Sequence, residues 1–530
     1  MAAEAIEHPY YPIIFVRGYA GTDDEVEDTV SDPYMGFNLG STKLRTLSNG
    51  RTDRHYFESP LVRLMKDHGY RDVYSAGINA TDIDGPTSEP ISPRSVIIYR
   101  YYDLVSSIFG EGKQVKMEQF GQGLNNLIEK LRQKTCSTAK ESKRFKVYLV
   151  GHSMGGLVIR CFLQNEKIGD PEIKACVDKV FTYATPHKGI DFEIVGNVPA
   201  FFTLNSADNF NRKRMQAYLG FDGKAEEINS LDGKFDPERF FCLIGTNAKD
   251  YAVAKGWSSR VVGPHSDGLV RINSAVVIGR GDKKDTTKIG PRAYVHRSHS
   301  GYYGIVNSEE GYQNLVRFLF GNVRVDGVLE LNDLTLPKDI QAEQDGGKKI
   351  GASYHFEAVT RVRGTNWDLS RRVASENSTV FRKLDELFPP TGKKRSIPEY
   401  QRRPEIFTGF LSRGARVDKG RPSLGFCVDL GVLVPDYEVD GTLWLKNHYA
   451  GGYVYRDKIN LEAFPAGSEG EDWVLRYGFD SVEPNGSSQT AERKPIDNGY
   501  EFRIPIVQKT PPGIEATLIV TARAWNPPPG

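Results

Sequence analysis

The stretch FKVYLVGHSMGGLVIRCFLQ, residues 145–164, decides the fold of the first half of the chain. FKVYLV is an apolar run that predicts a buried strand, and MGGLVIRCFLQ follows as an apolar segment compatible with a helix. Gly151, Ser153 and Gly155 form a GxSxG pattern between them. Glycine is needed at both flanking positions because side chains there would collide with the neighbouring strand and helix. The spacing therefore predicts that Ser153 lies on a tight strand-to-helix corner.

The same alternation extends through the first three hundred residues, where short β-branched runs are separated by helical patterns. This pattern predicts parallel strands joined by crossover helices, an α/β architecture. Ser59, Pro60 and Gly69 mark the start and end of one helix, and Ser308 and Gly321 mark those of the last. Strands are expected near residues 13–16, 73–78, 145–150, 177–183 and 240–245. We predict that the first domain spans residues 1–321.

The second half of the chain has a different pattern, with alternating apolar residues in short segments separated by turn residues. Alternation of this kind places every second side chain on one face of a strand. It predicts an all-β, sandwich-like domain over residues 322–530. TVFRKLDELF, residues 379–388, is the one segment in it that we expect to be helical.

Composition excludes several classes of protein. A chain of 530 residues exceeds a single common domain, and 39% hydrophobic with 26% charged residues is typical of globular proteins. The formal net charge of +1 provides no field for a polyanion, so no nucleic-acid partner is expected. No apolar run is long enough to cross a bilayer, and no secretory signal is visible. Five scattered cysteines without CxxC spacing favour a reducing compartment, so we expect a cytoplasmic location, with signal-independent export as the alternative.

Because Ser153 is predicted to lie on a strand-to-helix corner, the chain resembles the α/β-hydrolase superfamily, specifically its lipases and esterases, over about residues 10–320. The resemblance implies a nucleophile, Ser153, followed in chain order by an acid and a histidine base. HSDGLVRIN (265–273) is similar to the segment that carries the triad aspartate in bacterial lipases, which implies Asp267 as the acid. Asp250, closer to the end of the strand FFCLIGT, is the alternative. His299 precedes a helix entry as the lipase base does, and His296 is its rival.

The resemblance also implies an oxyanion hole and a cap. The backbone N–H of Met154 and that of Tyr19, in the loop VRGYAGT after the first strand, are the expected oxyanion donors. The connection over about residues 187–239 is much longer than usual, which favours a cap or lid. We predict that its apolar residues cover the serine and contact substrate, or else that they fill a small core of the cap itself. The residues concerned are Ile194, Val198, Phe201 and Phe202.

The predicted function is hydrolysis of a carboxylic ester through an acyl-enzyme on Ser153, with a small ester or lipid as substrate and transient contact with a lipid surface. Phospholipase action or acyl transfer would use the same triad. From another class, the chain could be a binding or assembly protein built on a hydrolase scaffold. Motifs for nucleotides and metalloproteases (GxGxxG behind a strand, a P-loop, HExxH) are missing from the sequence, so we expect no cofactor and no metal. The oligomeric state is not predicted.

Overall fold

The computed structural model describes residues 5–18, 41–46, 52–57, 59–73, 83, 90–99, 101, 116–190, 208–248, 265–279, 289–300, 304–388, 401–416, 419–440, 446–465, 473–482 and 488–527. Contacts divide the chain into two compact units. The first includes Met1–Arg292 and His296–Phe320, and the second includes Ala293–Val295 and Gly321–Pro527. The division into independently folding domains, 1–321 and 322–530, stays a prediction.

Strands and helices alternate along the first three hundred and twenty residues. The strands described there are β1 (Ile13–Val16), β2 (Ser41–Thr46), β3 (Thr52–Phe57), β4 (Arg71–Val73), β5 (Ser95–Tyr99), β6 (Val147–His152), β7 (Val177–Tyr183), β8 (Phe240–Gly245) and β9 (Arg292–Val295). The α-helices are α1 (Pro60–His68), α2 (Met117–Thr135), α3 (Ala139–Arg144), α4 (Met154–Gln164), α5 (Pro171–Lys174), α6 (Arg212–Leu219) and α7 (Glu309–Phe320).

Seven of these strands form one sheet in the order β4-β5-β1-β6-β7-β8-β9. Neighbouring strands from β4 through β8 pair in parallel. β1 is buried at every residue, as expected for a strand covered on both faces. The α/β architecture predicted from the alternating pattern is confirmed, and β2 and β3 form a separate hairpin.

The predicted helix signals also act as expected. The Ser59 side chain accepts a hydrogen bond from the N–H of Val62, and Gly69 ends α1 with φ 67°, a conformation in which a side chain would be strained. α4 is buried along its whole length, so the helix that follows Ser153 belongs to the core of the first unit.

The sheet order places a topological switch between β1 and β6. β1 pairs with β5 on one side and with β6 on the other, so the chain extends the sheet in both directions from this point. In open α/β sheets, ligands bind in the crevice outside the carboxyl ends of the strands at such a point. Gly18 follows β1 and Ser153 follows β6 at this edge.

The second unit is built mainly of antiparallel strands. They are β10 (Val323–Thr335), β11 (Ile350–Val362), β12 (Ser370–Arg372), β13 (Val380–Lys383), β14 (Glu405–Leu411), β15 (Leu424–Asp440), β16 (Lys446–Pro465), β17 (Trp473–Phe479), β18 (Gln489–Thr490), β19 (Glu492–Ile496), β20 (Gly499–Gln508) and β21 (Gly513–Ala524). The α-helices described among them are α8 (Lys338–Asp345) and α9 (Leu384–Leu387).

These strands form a five-stranded sheet, β14-β10-β21-β20-β19, and a larger one, β12-β11-β15-β16-β17-β18, to which β13 is added at β11. Leu329 and Leu518 of the first sheet belong to the same buried cluster as Phe356 and Val428 of the second. One core between two sheets is the arrangement of a sandwich, so the all-β expectation is confirmed.

The helix predicted over residues 379–388 is wrong for its first half. Residues 380–383 form β13, which pairs with β11, and only the short helix α9 follows. Sheet pairing outweighs the local apolar spacing here. In the described part of the chain, no helix combines the length and apolar character needed to span a membrane. The cytoplasmic location stays a prediction.

Candidate active site

Ser153 occupies the corner between β6 and α4. Its backbone has φ 51° and ψ −124°, a conformation that is costly for any residue with a side chain. Its N–H donates a hydrogen bond of 3.0 Å to the carbonyl of Tyr183, which ties the corner to β7. The residue is 7% exposed. A strained serine held in this way is the local geometry that the GxSxG spacing predicts.

The two glycines of the motif have no room for a side chain. A Cβ atom on Gly151 would lie 2.7 Å from the backbone nitrogen of Gly156. On Gly155 it would lie 2.0 Å from the carbonyl oxygen of Val16, the last residue of β1. The corner therefore packs backbone against backbone, and this close approach explains why both positions are glycine.

Asp267 and His299 form a buried pair. The Nδ1 atom of His299 lies 3.0 Å from Oδ2 of Asp267, and the two residues are 3% and 1% exposed. The other carboxylate oxygen accepts hydrogen bonds from the N–H groups of Leu269 (3.0 Å) and Val270 (2.7 Å). A carboxylate fixed by its own loop holds the proton of His299 on Nδ1, which leaves Nε2 as a proton acceptor.

His152 connects the histidine loop to the serine corner. Its Nε2 lies 3.1 Å from the carbonyl oxygen of His299, and the two imidazole rings have centroids 4.9 Å apart. Since His152 directly precedes Ser153, this contact brings the backbone of His299 to the corner. Burial, with His299 and Arg17 close by, holds the pKa of His152 well below its ordinary value. The ring is therefore neutral, and Nε2–H donates to the carbonyl.

Two further features hold the acid and base loops, and sequence reasoning missed both. Gly245 ends β8, and a Cβ there would lie 2.6 Å from the carbonyl oxygen of Arg297 and 2.8 Å from Cβ of Asp267. Arg297 in turn forms a buried ion pair of 2.9 Å with Glu310 of α7. The glycine lets both loops approach the strand, and the ion pair ties the segment before His299 to a helix. No local spacing signals either feature.

The rival residues are placed differently. His296 is exposed, and its Nδ1 lies 3.4 Å from the hydroxyl of Thr246, whereas His299 is buried against Asp267. The structure thus brings a carboxylate to His299. Asp250, the alternative acid, lies outside the described residues.

The expected oxyanion donors are only partly within the described residues. Met154 begins α4, where the first N–H groups of a helix lack an intrahelical acceptor. Gly18 lies directly against Ser153, since a Cβ on Gly18 would come within 2.7 Å of Cβ of Ser153. The loop after β1 therefore passes beside the serine. Tyr19 itself lies beyond the described part of this loop, as do four residues of the predicted lid: Ile194, Val198, Phe201 and Phe202.

Arg160 of α4 fastens both ends of the long connection predicted as a cap. Its guanidinium is fully buried and donates to the carbonyl oxygens of His187 (2.9 Å), Ile228 (2.6 Å) and Ser230 (3.0 Å). Burial lowers the pKa of Arg160 to about 10. The helix that begins beside Ser153 thus also holds the segments that flank residues 191–207.

One group with the side chains of a metal site occurs among the described residues. Asp436, Glu438 and His448 lie on β15 and β16 of the second unit, with their potential ligand atoms within 4.8 Å of one another. Nδ1 of His448 lies 3.0 Å from Oδ2 of Asp436, and both side chains are about half exposed. An exposed carboxylate–histidine pair accounts for this arrangement.

Comparison with known proteins finds a matching domain family, a sequence relative and similar solved structures. A PGAP1-like alpha/beta domain matches residues 110–272, less than half of the chain. Phospholipase A(1) LCAT3 of Arabidopsis thaliana is 29% identical over 121 residues, which are 21% of this chain and 26% of that protein. The chain therefore spans about a quarter of the length of this relative.

The third similarity is to a solved structure, that of a proposed cell surface hydrolase from Lactobacillus plantarum WCFS1. It is 14% identical and covers 59% of this chain and 91% of its own, with a TM-score of 0.22, too low to bear on the fold. The fold is instead assigned from the strand order, the serine corner and the matched alpha/beta domain. The resemblance is confirmed at the level of the fold: the first part of this chain has an α/β-hydrolase-type fold.

Proposed function

We propose that this protein hydrolyses carboxylic esters through an acyl-enzyme on Ser153, with His299 as the base and Asp267 as its orienting acid. The observation that carries the proposal is the buried 3.0 Å contact between His299 and Asp267, with the backbone of His299 hydrogen-bonded to His152, the residue before Ser153. A serine hydroxyl is a weak nucleophile until an imidazole takes its proton. The carboxylate fixes the tautomer that makes His299 able to do so.

In the proposed reaction, the Ser153 oxygen attacks the ester carbonyl while its proton passes to Nε2 of His299. The carbonyl electron pair moves to oxygen, and the N–H groups of Met154 and Tyr19 bind this oxyanion. As the tetrahedral species collapses, the bond to the alcohol breaks and His299 protonates the departing oxygen. Water then attacks the acyl-enzyme, His299 again acts as base and acid, and the carboxylic acid leaves Ser153. Loss of one oxyanion donor typically costs about 10²–10³ in turnover.

Phospholipids are the substrate class to test beside simple esters. The similarity to a protein named Phospholipase A(1) supports an acyl ester of a phospholipid as substrate. The lid residues Ile194, Val198, Phe201 and Phe202 would then meet the acyl chain. Acyl transfer differs only in that an alcohol replaces water in the second half of the reaction, and a product assay separates the two outcomes.

The triad is tested by the hydrolysis of a soluble p-nitrophenyl ester by the full chain. We expect Ser153→Ala and His299→Ala each to lower turnover by about a thousandfold or more. His296→Ala is the matched control, since it removes a nearby, exposed histidine whose Nδ1 faces the Thr246 hydroxyl, and it should retain wild-type turnover. Full activity of Ser153→Ala, or an inactive His296→Ala beside an active His299→Ala, contradicts the assignment.

A fluorophosphonate probe distinguishes an enzyme from a scaffold. The probe forms a covalent bond with an activated serine, so we expect labelling of the wild type and none of Ser153→Ala. An unlabelled wild type would support the alternative of a binding protein built on a hydrolase fold.

A further inference from the structure

The second unit carries a cleft of about 530 Å³ on one face of its larger sheet. None of the residues in the proposed hydrolysis lines this cleft. Strands β11, β12, β15 and β16 border it. Ala358 and Val432, which alternate with residues of the cleft, belong to the buried core. The cleft therefore lies on the opposite, outward face of the sheet. Its volume suits a small molecule and is larger than a single ion requires.

Strand register brings charged side chains together on this face. Arg371, Val359, Asp429 and Lys458 are direct partners across four neighbouring strands. Residues directly opposite each other in antiparallel strands share a face. In the adjacent row, Glu357, Gly431 and Arg456 pair in the same way. The two rows form a polar floor from segments that are far apart in the sequence.

A tyrosine closes one side of this floor. The register of β15 with β16 shifts between Val432 and Leu433, and this bulge puts Tyr453 on the same face as Arg456. The Tyr453 hydroxyl donates to Oε2 of Glu357 at 2.8 Å, over Gly431. A Cβ on Gly431 would lie 3.1 Å from that same carboxylate oxygen and 3.2 Å from the tyrosine ring. Glycine thus gives the pair room to meet.

The carboxylates of the cleft already have donors. Glu357 accepts the Ala374 N–H at 2.8 Å as well as the Tyr453 hydroxyl, and Asp429 lies 3.5 Å from the guanidinium of Arg361. Arg456 differs, because its guanidinium lies over the ring of Tyr453, 4.8 Å from the centroid. In the described part of the chain it makes no ion pair or hydrogen bond. What the cleft lacks is therefore an acceptor for Arg456.

We propose that this cleft binds a small organic anion, and that Arg456 recognises its phosphate or carboxylate group. Stacking on Tyr453 fixes the guanidinium plane, which prepares it for bidentate contact with an oxyanion. Lys458, two residues after Arg456 and on the same face, is already paired with Asp480 at 3.3 Å, so Arg456 is the cation that the anion would meet. The polar lining suits the hydroxyl groups of a glycerol or sugar phosphate. The source is either a free metabolite of this kind or the headgroup of a phospholipid.

Calorimetric titration of the full chain with glycerol 3-phosphate at low ionic strength tests the proposal. We expect saturable binding by the wild type, none of uncharged glycerol, and affinity at least about tenfold weaker for Arg456→Gln. Arg493→Gln is the matched control, since Arg493 also stacks on a tyrosine ring at 4.8 Å, that of Tyr500, but lies outside the cleft. It should bind as the wild type does.

Vesicles of phosphatidic acid distinguish the two sources. Displacement of glycerol 3-phosphate by these vesicles and not by phosphatidylcholine vesicles identifies a headgroup, whereas no displacement identifies a free metabolite. The proposal is overturned if the wild type binds neither probe, or if Arg456→Gln binds as tightly as Arg493→Gln. Turnover of the p-nitrophenyl ester should be unchanged in both variants, so failure here is independent of the proposed hydrolase activity.

Discussion

At the scale of single residues, the His152 side chain links the proposed nucleophile to the loop of the proposed base. It precedes the proposed nucleophile and hydrogen-bonds the backbone carbonyl of the proposed base, His299, at 3.1 Å. Burial disfavours its charged form, so this hydrogen bond has the same donor across the ordinary pH range. We expect His152 to position His299 without taking part in proton transfer.

Replacement of His152 tests this role. His152→Phe keeps a ring but removes the donor, and a lost hydrogen bond of about 1 kcal/mol corresponds to turnover lower by about fivefold to tenfold. His152→Gln places an amide N–H near the position of Nε2 and should restore most of the activity. Turnover of a soluble ester is the measurement, with thermal unfolding to show that both variants fold. Equal turnover of the two variants would contradict a role for the donor.

At the scale of elements, α4 performs two tasks. Its first residue supplies a candidate oxyanion donor beside Ser153, and Arg160, two turns later, holds His187 and Ile228 through their carbonyls. A buried guanidinium bound to carbonyl oxygens holds segments of the connection that lie outside the strands of the sheet. The helix thus couples the position of the serine to the base of the predicted cap.

Arg160→Met should therefore destabilise the first unit. The carbonyls of His187 and Ile228 and the side-chain Oε1 of Gln164 would lose their donor, while the carbonyl of Ser230 keeps the side-chain amide of Gln164 at 3.0 Å. Three unsatisfied buried acceptors correspond to a loss of about 3 kcal/mol or more in the free energy of unfolding, measured by urea denaturation. Arg214→Met is the control.

Arg214 suits this purpose because it lies on the nearby helix α6 and pairs with Glu118 while a quarter exposed. Loss of such a surface pair costs at most about 1 kcal/mol. A loss no larger for Arg160→Met than for Arg214→Met would show that the buried hydrogen bonds do not hold the connection.

At the scale of the whole molecule, the sequence predicts what is local and misses what depends on pairing. The corner at Ser153 and the succession of strands and crossover helices follow from short apolar runs and glycine spacing, because each signal lies within about twenty residues. The strand β13 was missed because its pairing with β11 overrides a helical pattern. The cleft beside Arg456 needs the register of four strands and one bulge, none of which is visible in the chain itself.

The stability of the first unit should depend on pH through one buried lysine. Lys179 of β7 is fully buried and donates to the carbonyl of Leu319 at 2.9 Å. Burial lowers its pKa to about 7, partly offset by Asp178, from an ordinary value of 10.5. Between these two values the unfolded chain holds a proton that the folded chain lacks. The free energy of unfolding therefore rises with pH across this window, and the contribution of neutral Lys179 to it is complete above pH 10.5.

Lys179→Met tests this dependence. The variant should lose the rise in unfolding free energy between pH 7.5 and 9.5, which approaches about 1 kcal/mol per pH unit in the wild type. The helical circular-dichroism signal during urea unfolding is a suitable measurement, because most described helices belong to the first unit. Lys146→Met is the control, since Lys146 also donates to a backbone carbonyl, that of Ala175, but is only partly buried. A rise that persists in Lys179→Met, or that disappears equally in Lys146→Met, would assign the pH dependence to other groups.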